Sequence, residues 1–243
     1  MAASSPTEPR RRTAVVTGAA SGMGLAVAER FITKGWTVIG IDRDAESLLV
    51  NAAAHDPAAF RPAVADITDR GAVSRALGDI SGLEAVVNAA GIYPPTTLTD
   101  YDYATYRHIF DVNVFGTLNV IAETVPALRS TGGGAIVNFA SIDAFAVSTG
   151  QLLYSASKAA VVSLTRSLAI ELSDDQISVN AVAPGWVDTP GTRAGGRLEQ
   201  AVATIPFRRA AQPTEIADWV WMLSQGTYMT GETIVISGGL IVR

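Results

Sequence analysis

The chain has 243 residues, 48% of them hydrophobic and 17% charged, which is ample apolar material for a large buried α/β layer structure and excludes a disordered chain. A formal net charge of −5 leaves no global positive field to hold a nucleic-acid backbone or an anionic membrane, so neither is expected as a partner. The absence of cysteine removes disulfides, thiolate metal sites and cysteine nucleophiles, and the two separated histidines, His55 and His108, give no ligand pattern, so no metal is expected.

Residues 1–12 are small, polar and then basic, and read as a flexible tail rather than a signal peptide, because the apolar run that follows breaks at Gly18. A cytoplasmic location is the expectation. From residue 13 onward, short β-branched runs alternate with segments at helical spacing. That alternation predicts a Rossmann-type doubly wound parallel sheet with helices on both faces, filling residues 13–243 as a single domain. About seven strands are predicted, at 13–17, 37–41, 61–65, 85–89, 135–140, 178–183 and 233–236. Helices are predicted near 103–129, 151–172 and 214–224, the last with Pro213 just ahead of its start. The stretch 188–206 has little periodicity and four Pro or Gly residues near its start. Because it leaves a strand end, where such sheets bind ligands, it is the candidate lid over a substrate.

Directly after the first strand, Gly18, Ser21, Gly22, Met23 and Gly24 lead into a helix. A pyrophosphate needs a turn without β-carbons and free N–H groups at a helix start, and this segment offers both. The second strand ends at Asp42-Arg43, about 20 residues further on. Asp42 can accept from ribose hydroxyls and repel a 2′-phosphate, which favours NAD, while Arg43 can offset that repulsion and leaves NADP possible. Asp66 and Ile67 at the third strand end can face an adenine ring. Asn88, Ala89, Ala90 and Gly91 close the fourth strand with side chains too small to block a bound ribose. Each of these residues, taken alone, is also an ordinary turn residue.

Tyr154 and Lys158 share one helical face at i,i+4 spacing. A nearby ammonium together with an oxidised nicotinamide can lower the phenol from its usual value near 10, at roughly 1.4 kcal/mol per pH unit. With the glycine loop, Asn88 to Gly91, Asn113, Ser141, Tyr154 with Lys158, and Pro184-Gly185 in order, the chain resembles the compact short-chain dehydrogenase/reductase family over almost its whole length. Val87 stands where that family usually has a further asparagine before Asn88.

The resemblance implies a catalytic tetrad. Tyr154 exchanges a proton with the substrate oxygen, Ser141 orients that oxygen, and Lys158 holds the nicotinamide ribose and lowers the tyrosine pKa. Asn113 supports a water that links the lysine to solvent. It also implies direct hydride transfer between nicotinamide and a carbon bearing oxygen, with Pro184, Gly185, Val187 and Thr189 at the nicotinamide end, and a homotetramer or homodimer. The substrate pocket is expected to draw on Tyr93, Pro94, residues 142–147 with Ile142 and Asp143, residues 151–153 with Gln151, and Trp186. Most are apolar or aromatic, which points to a small-molecule hydrophobic or cyclic secondary alcohol and its ketone. Asp143 either binds a substrate hydroxyl or amine or caps a turn. The second enzyme reading is a 3-oxoacyl-thioester reductase, for which Arg129, Arg193, Arg197, Arg208 and Arg209 offer charge. The third is a non-catalytic dinucleotide-binding protein, against which the intact tetrad argues.

Overall fold

In the computed structural model, which describes residues 11–146, 148–196, 198–226 and 228–242, β1 (Thr13–Thr17) is buried along its whole length, as a β-branched run enclosed on both faces must be. Its side chains alternate: Ala14 and Val16 join one core, and Val15 joins the other. The remaining strands are β2 (Thr37–Asp42), β3 (Phe60–Val64), β4 (Leu83–Asn88), β5 (Gly134–Phe139), β6 (Ile177–Pro184) and β7 (Thr233–Ile236). All pair in parallel, in the order β3-β2-β1-β4-β5-β6-β7, giving a single-domain Rossmann-type sheet. The order reverses between β1 and β4, and a crevice opens at the carboxyl ends of the strands at that point.

The helices are α1 (Gly22–Thr33), α2 (Ala45–Ala53), α3 (Arg70–Leu77), α4 (Tyr103–Phe110), α5 (Thr117–Thr131), α6 (Leu152–Glu171), α7 (Pro190–Ala194), α8 (Leu198–Val202) and α9 (Pro213–Leu223). Phe31 of α1 and Ile216 and Val220 of α9 pack on one face of the sheet; Leu77 of α3, Val120 and Leu128 of α5 and Ala169 of α6 pack on the other. Phe31, Trp36 and Trp221 meet edge to face and bind α1 to α9.

Several sequence expectations change. The strand expected at 135–140 runs at Gly134–Phe139, and Pro213 is the first residue of α9 rather than the residue ahead of it. The strands expected at 61–65 and 85–89 run at Phe60–Val64 and Leu83–Asn88, so Ala65 and Ala89 belong to the crevice loops. The helix expected at 103–129 is interrupted by a π-helical turn, Asp111–Gly116, which inserts extra backbone where Asn113 sits. The 188–206 stretch is not irregular: it folds into α7, capped by Thr189 accepting from the Thr192 N–H at 3.2 Å, and α8. At the other end of the chain, Arg11 and Arg12 are not free: Arg12 pairs with Glu84 at 2.9 Å and lies over Trp36. The rest of the expected tail, Val147 of the expected pocket and Arg197 lie outside the described residues.

Candidate active site

The loop between β1 and α1 is built to let another chain approach. Gly18 and Gly22 both adopt positive φ, which residues with a β-carbon rarely take. A β-carbon at Gly18 would stand 3.0 Å from the Ala90 nitrogen, and one at Gly24 would overlap the Gly18 carbonyl. Thr17 Oγ1 accepts from the Ala90 N–H at 3.1 Å and locks the two loops together. Ser21 begins α1 without a side-chain cap, so the helix leaves its first N–H groups pointing into the crevice.

That crevice is a cavity of about 300 Å³ lined by Gly18, Ser21, Gly22, Met23, Gly24, Asp42, Arg43, Asp66, Ile67, Ala89, Ala90, Gly91 and Thr189. Thirteen of the expected cofactor residues therefore meet on one wall. Asp42 accepts from Ala20 N–H and Asp44 N–H, both at 3.0 Å, which aims its carboxylate along the glycine loop. Burial pushes the Asp66 carboxyl upward, but hydrogen bonds from the Thr68 N–H and hydroxyl outweigh it and hold the group below its ordinary value. Uncapped helix N–H groups, loops with no room for a β-carbon and a carboxylate at the far end fit a dinucleotide.

Asn88 is brought elsewhere. Its Nδ2 donates to Asn138 Oδ1 at 2.9 Å and Asn138 donates on to Thr165 Oγ1 at 3.0 Å, a buried ladder joining β4 through β5 to α6. Pro184, Gly185 and Val187 line a second cavity of about 130 Å³, together with Tyr93, Ser141, Ile142, Asp143, Gln151, Tyr154 and Trp186. Pro94, residues 144–146, Leu152 and Leu153 are not among its lining. The two cavities share Met23, Tyr93 and Gly191, so they meet at these residues.

Tyr154 lies one turn into α6, where its phenol is hydrogen-bonded to Ser141 and its ring stands edge to face with Tyr93 at 6.0 Å. Burial pushes the phenol well above its ordinary value; the Ser141 hydrogen bond opposes this, and the Asp143 carboxylate adds to it. Without a bound nicotinamide, burial dominates and the protein holds Tyr154 neutral. Lys158 Nζ is buried, donates to the Phe139 carbonyl at 2.6 Å and sits 5.8 Å from the Tyr154 ring centre, and burial alone lowers its ammonium to about 8.

Asn113 is held by its side chain. Its amide donates to Ile92 O at 2.9 Å and Ser157 Oγ at 3.0 Å and accepts from Ile92 N–H at 2.8 Å, so both amide protons are spent inside the protein. Ser157 in turn donates to the Tyr154 carbonyl at 2.7 Å. Two positioning residues had no distinctive sequence signal: Thr96, whose Oγ1 accepts from Leu153 N–H at 3.0 Å at the start of α6, and Asn119, which donates to Ile67 O at 2.9 Å. Among the described residues, no group of three or more His, Asp or Glu side chains is placed to hold a metal ion, and no helix is long and apolar enough to cross a membrane.

The family model described as enoyl-(acyl carrier protein) reductase matches residues 18–241. The 3-oxoacyl-(acyl-carrier-protein) reductase FabG of Thermotoga maritima is 35% identical over 94% of this chain and 97% of its own length. A solved short-chain dehydrogenase/reductase family protein superposes with a TM-score of 0.88 at 35% identity, over 95% of this chain and 98% of that one. The L-sorbose reductase of Gluconobacter frateurii, solved with NADPH and L-sorbose, superposes with a TM-score of 0.89 at 26% identity, over 96% and 97% of the two chains. The chain belongs to the short-chain dehydrogenase/reductase family of NAD(P)-dependent oxidoreductases.

Proposed function

We propose that the protein interconverts a secondary alcohol, hydrophobic or cyclic, and its ketone, with Tyr154 as general acid and base. The observation that carries this reading is the Tyr154 phenol, hydrogen-bonded to Ser141 where the two cavities meet. In the reduction, the neutral Tyr154 donates its proton to the substrate oxygen while Ser141 holds that oxygen in place. In the oxidation the same groups work in reverse, with Tyr154 taking the hydroxyl proton. Bound nicotinamide supplies the hydride acceptor or donor. Lys158 holds charge beneath the site, and Asn113 acts as a positioning residue for segment 89–92 and for Ser157. Gly18, Ser21, Gly22, Met23 and Gly24 would hold the pyrophosphate, Asp42 the adenosine ribose, and Thr189 the nicotinamide end.

Asp42 supports NAD over NADP, while Arg43 in the same crevice keeps NADP possible. The reading includes segment 188–206 as a cover for the substrate and a cytoplasmic location. It also includes a homodimer or homotetramer, for which Tyr103 of α4, Phe115 of the π-helical turn and Ile170 of α6 offer large exposed apolar side chains.

A second reading, 3-oxoacyl-thioester reduction, is favoured by the name of the Thermotoga relative. Against it, Arg129, Arg193 and Arg209, which could meet an acidic carrier, are already paired with Asp175, Asp188 and Glu215. The test follows the absorbance of reduced nicotinamide with NAD or NADP and a panel of secondary alcohols, beside Tyr154→Phe. Turnover that disappears in the variant supports alcohol oxidation. Silence with every alcohol, and turnover of a 3-oxoacyl thioester, selects the second reading.

A further inference from the structure

The catalytic cavity holds polar groups that the chemistry at Tyr154 and Ser141 leaves unused. The Gln151 side chain lines the cavity, is only 4% exposed, and its Oε1 has no hydrogen-bond partner. A buried amide in that state is destabilising unless something entering the cavity completes it. Asp143 lines the same wall, where one of its oxygens accepts from Ser148 Oγ at 2.5 Å. Its carboxylate is close enough to the Tyr154 phenol to disfavour the phenolate.

Among the described residues, no arginine or lysine lines this cavity. Its remaining wall is largely apolar, with Met23, Ile142, Trp186 and Val187. An ionised carboxylate only accepts hydrogen bonds, and the Gln151 amide can turn its oxygen to the same partner. A substrate carboxylate or phosphate here would meet like charge with nothing to offset it. A hydrogen-bond donor would meet two acceptors.

Building on the secondary-alcohol reading, we propose that Asp143 and Gln151 form a donor-reading subsite beside Tyr154 and Ser141, so that the substrate carries a hydroxyl or ammonium group next to its reacting carbon. The shared chemistry is a polarised N–H or O–H group. A vicinal diol, with its hydroxyketone, and an amino alcohol are the two sources of it.

The experiment compares cyclohexanol, vicinal cyclohexanediol, aminocyclohexanol and a hydroxycyclohexane carboxylate. Each is tested for turnover with NAD and for binding to the full chain complexed with NADH by calorimetry, in the wild type, Asp143→Asn and Gln151→Met. Asp143→Asn keeps an oxygen for Ser148, so the 3₁₀ turn at Ile142–Ala144 stays supported. The expected result is that a donor-bearing compound exceeds cyclohexanol about tenfold in kcat/KM and affinity, that the carboxylate is weakest, and that both substitutions shrink the donor ratio severalfold. Whichever of the diol and the amino alcohol leads identifies the source. Equal values across the alcohols, or a ratio unmoved by both substitutions, overturns the subsite while leaving alcohol oxidation standing. Binding that keeps the donor ranking without turnover retains the subsite and refutes the oxidation reading; no binding of any compound overturns both.

Discussion

The Lys158 ammonium donates to the Phe139 carbonyl at 2.6 Å, tying the helix that carries Tyr154 to the last residue of the strand that leads into Ser141. This contact positions the site at a cost in stability. The unfolded lysine titrates near 10.5 and the folded one at about 8, so the burial cost is fully present below about pH 8. It shrinks as pH rises between those values and is gone above 10.5. Lys158→Met is therefore expected to be inactive yet more stable near neutral pH, by roughly 1–3 kcal/mol once the lost Phe139 hydrogen bond is subtracted. Urea unfolding near neutral pH and near pH 10 checks this: the advantage of the variant must shrink at the higher pH. A variant less stable at neutral pH shows that the hydrogen bond outweighs the burial.

Tyr154 carries its own pH signature. Burial holds the phenol above its ordinary value, so it is the neutral acid throughout the neutral range. Ketone reduction, which consumes that proton, is expected to be insensitive to pH between about 6 and 7, below the range in which Lys158 loses its charge. Alcohol oxidation, which needs the phenolate, is expected to rise with pH over the same interval. Tyr154→Phe should lose about 10²–10⁴ in both directions. An oxidation profile that is flat across this interval would sink the assignment.

Asn113→Ala tests whether the π-helical turn acts through loop geometry. The side chain is 1% exposed and makes three hydrogen bonds, two of them to Ile92 in the crevice wall. Leaving these groups unpaired should cost about 2–4 kcal/mol in urea unfolding and weaken NADH binding in fluorescence titration. A destabilised variant with unchanged NADH affinity would separate the amide from the crevice.

Asp42→Ala addresses the cofactor. Removing the carboxylate takes away an acceptor for ribose hydroxyls and leaves Arg43 facing the same crevice. The ratio of kcat/KM for NADP over NAD should rise about tenfold or more. An unchanged ratio would show that neither residue reads the adenosine ribose.

The sheet, the glycine loop and the Tyr154–Lys158 face were legible because each depends on local chemistry: β-branched runs, absent β-carbons, and i,i+4 spacing. What the sequence hid depends on partners distant along the chain. Asn88 reads as a crevice residue until Asn138, 50 positions later, claims its amide. The π-helical turn has no periodicity of its own, and its place is visible only once Asn113 reaches back to Ile92. Thr96 is an unremarkable loop threonine until it receives the Leu153 N–H from the first turn of α6. The order within 188–206 was missed because glycine content masked the Thr189–Thr192 cap and the Arg193–Asp188 pair.

Gly116 gives the sharpest separation of local from tertiary effects. It lies in the π-helical turn without a positive φ, so helix propensity alone predicts that Gly116→Ala stabilises by about 0.5–1 kcal/mol. A β-carbon there would stand 2.6 Å from Ile67 Cγ1, 2.7 Å from Ile67 Cδ1 and 3.3 Å from the Asp111 carbonyl. Ile67 is buried, and Asn119 holds its carbonyl at 2.9 Å, so the backbone cannot retreat and the side chain must turn toward the crevice it lines. Overpacking of this kind costs about 1–3 kcal/mol and exceeds the propensity gain. The expected outcome is a variant destabilised by about 1–2 kcal/mol in urea unfolding, with NADH affinity reduced severalfold. If the single variant is instead more stable and binds NADH normally, Ile67 has room to move and is not the wall of the adenine end.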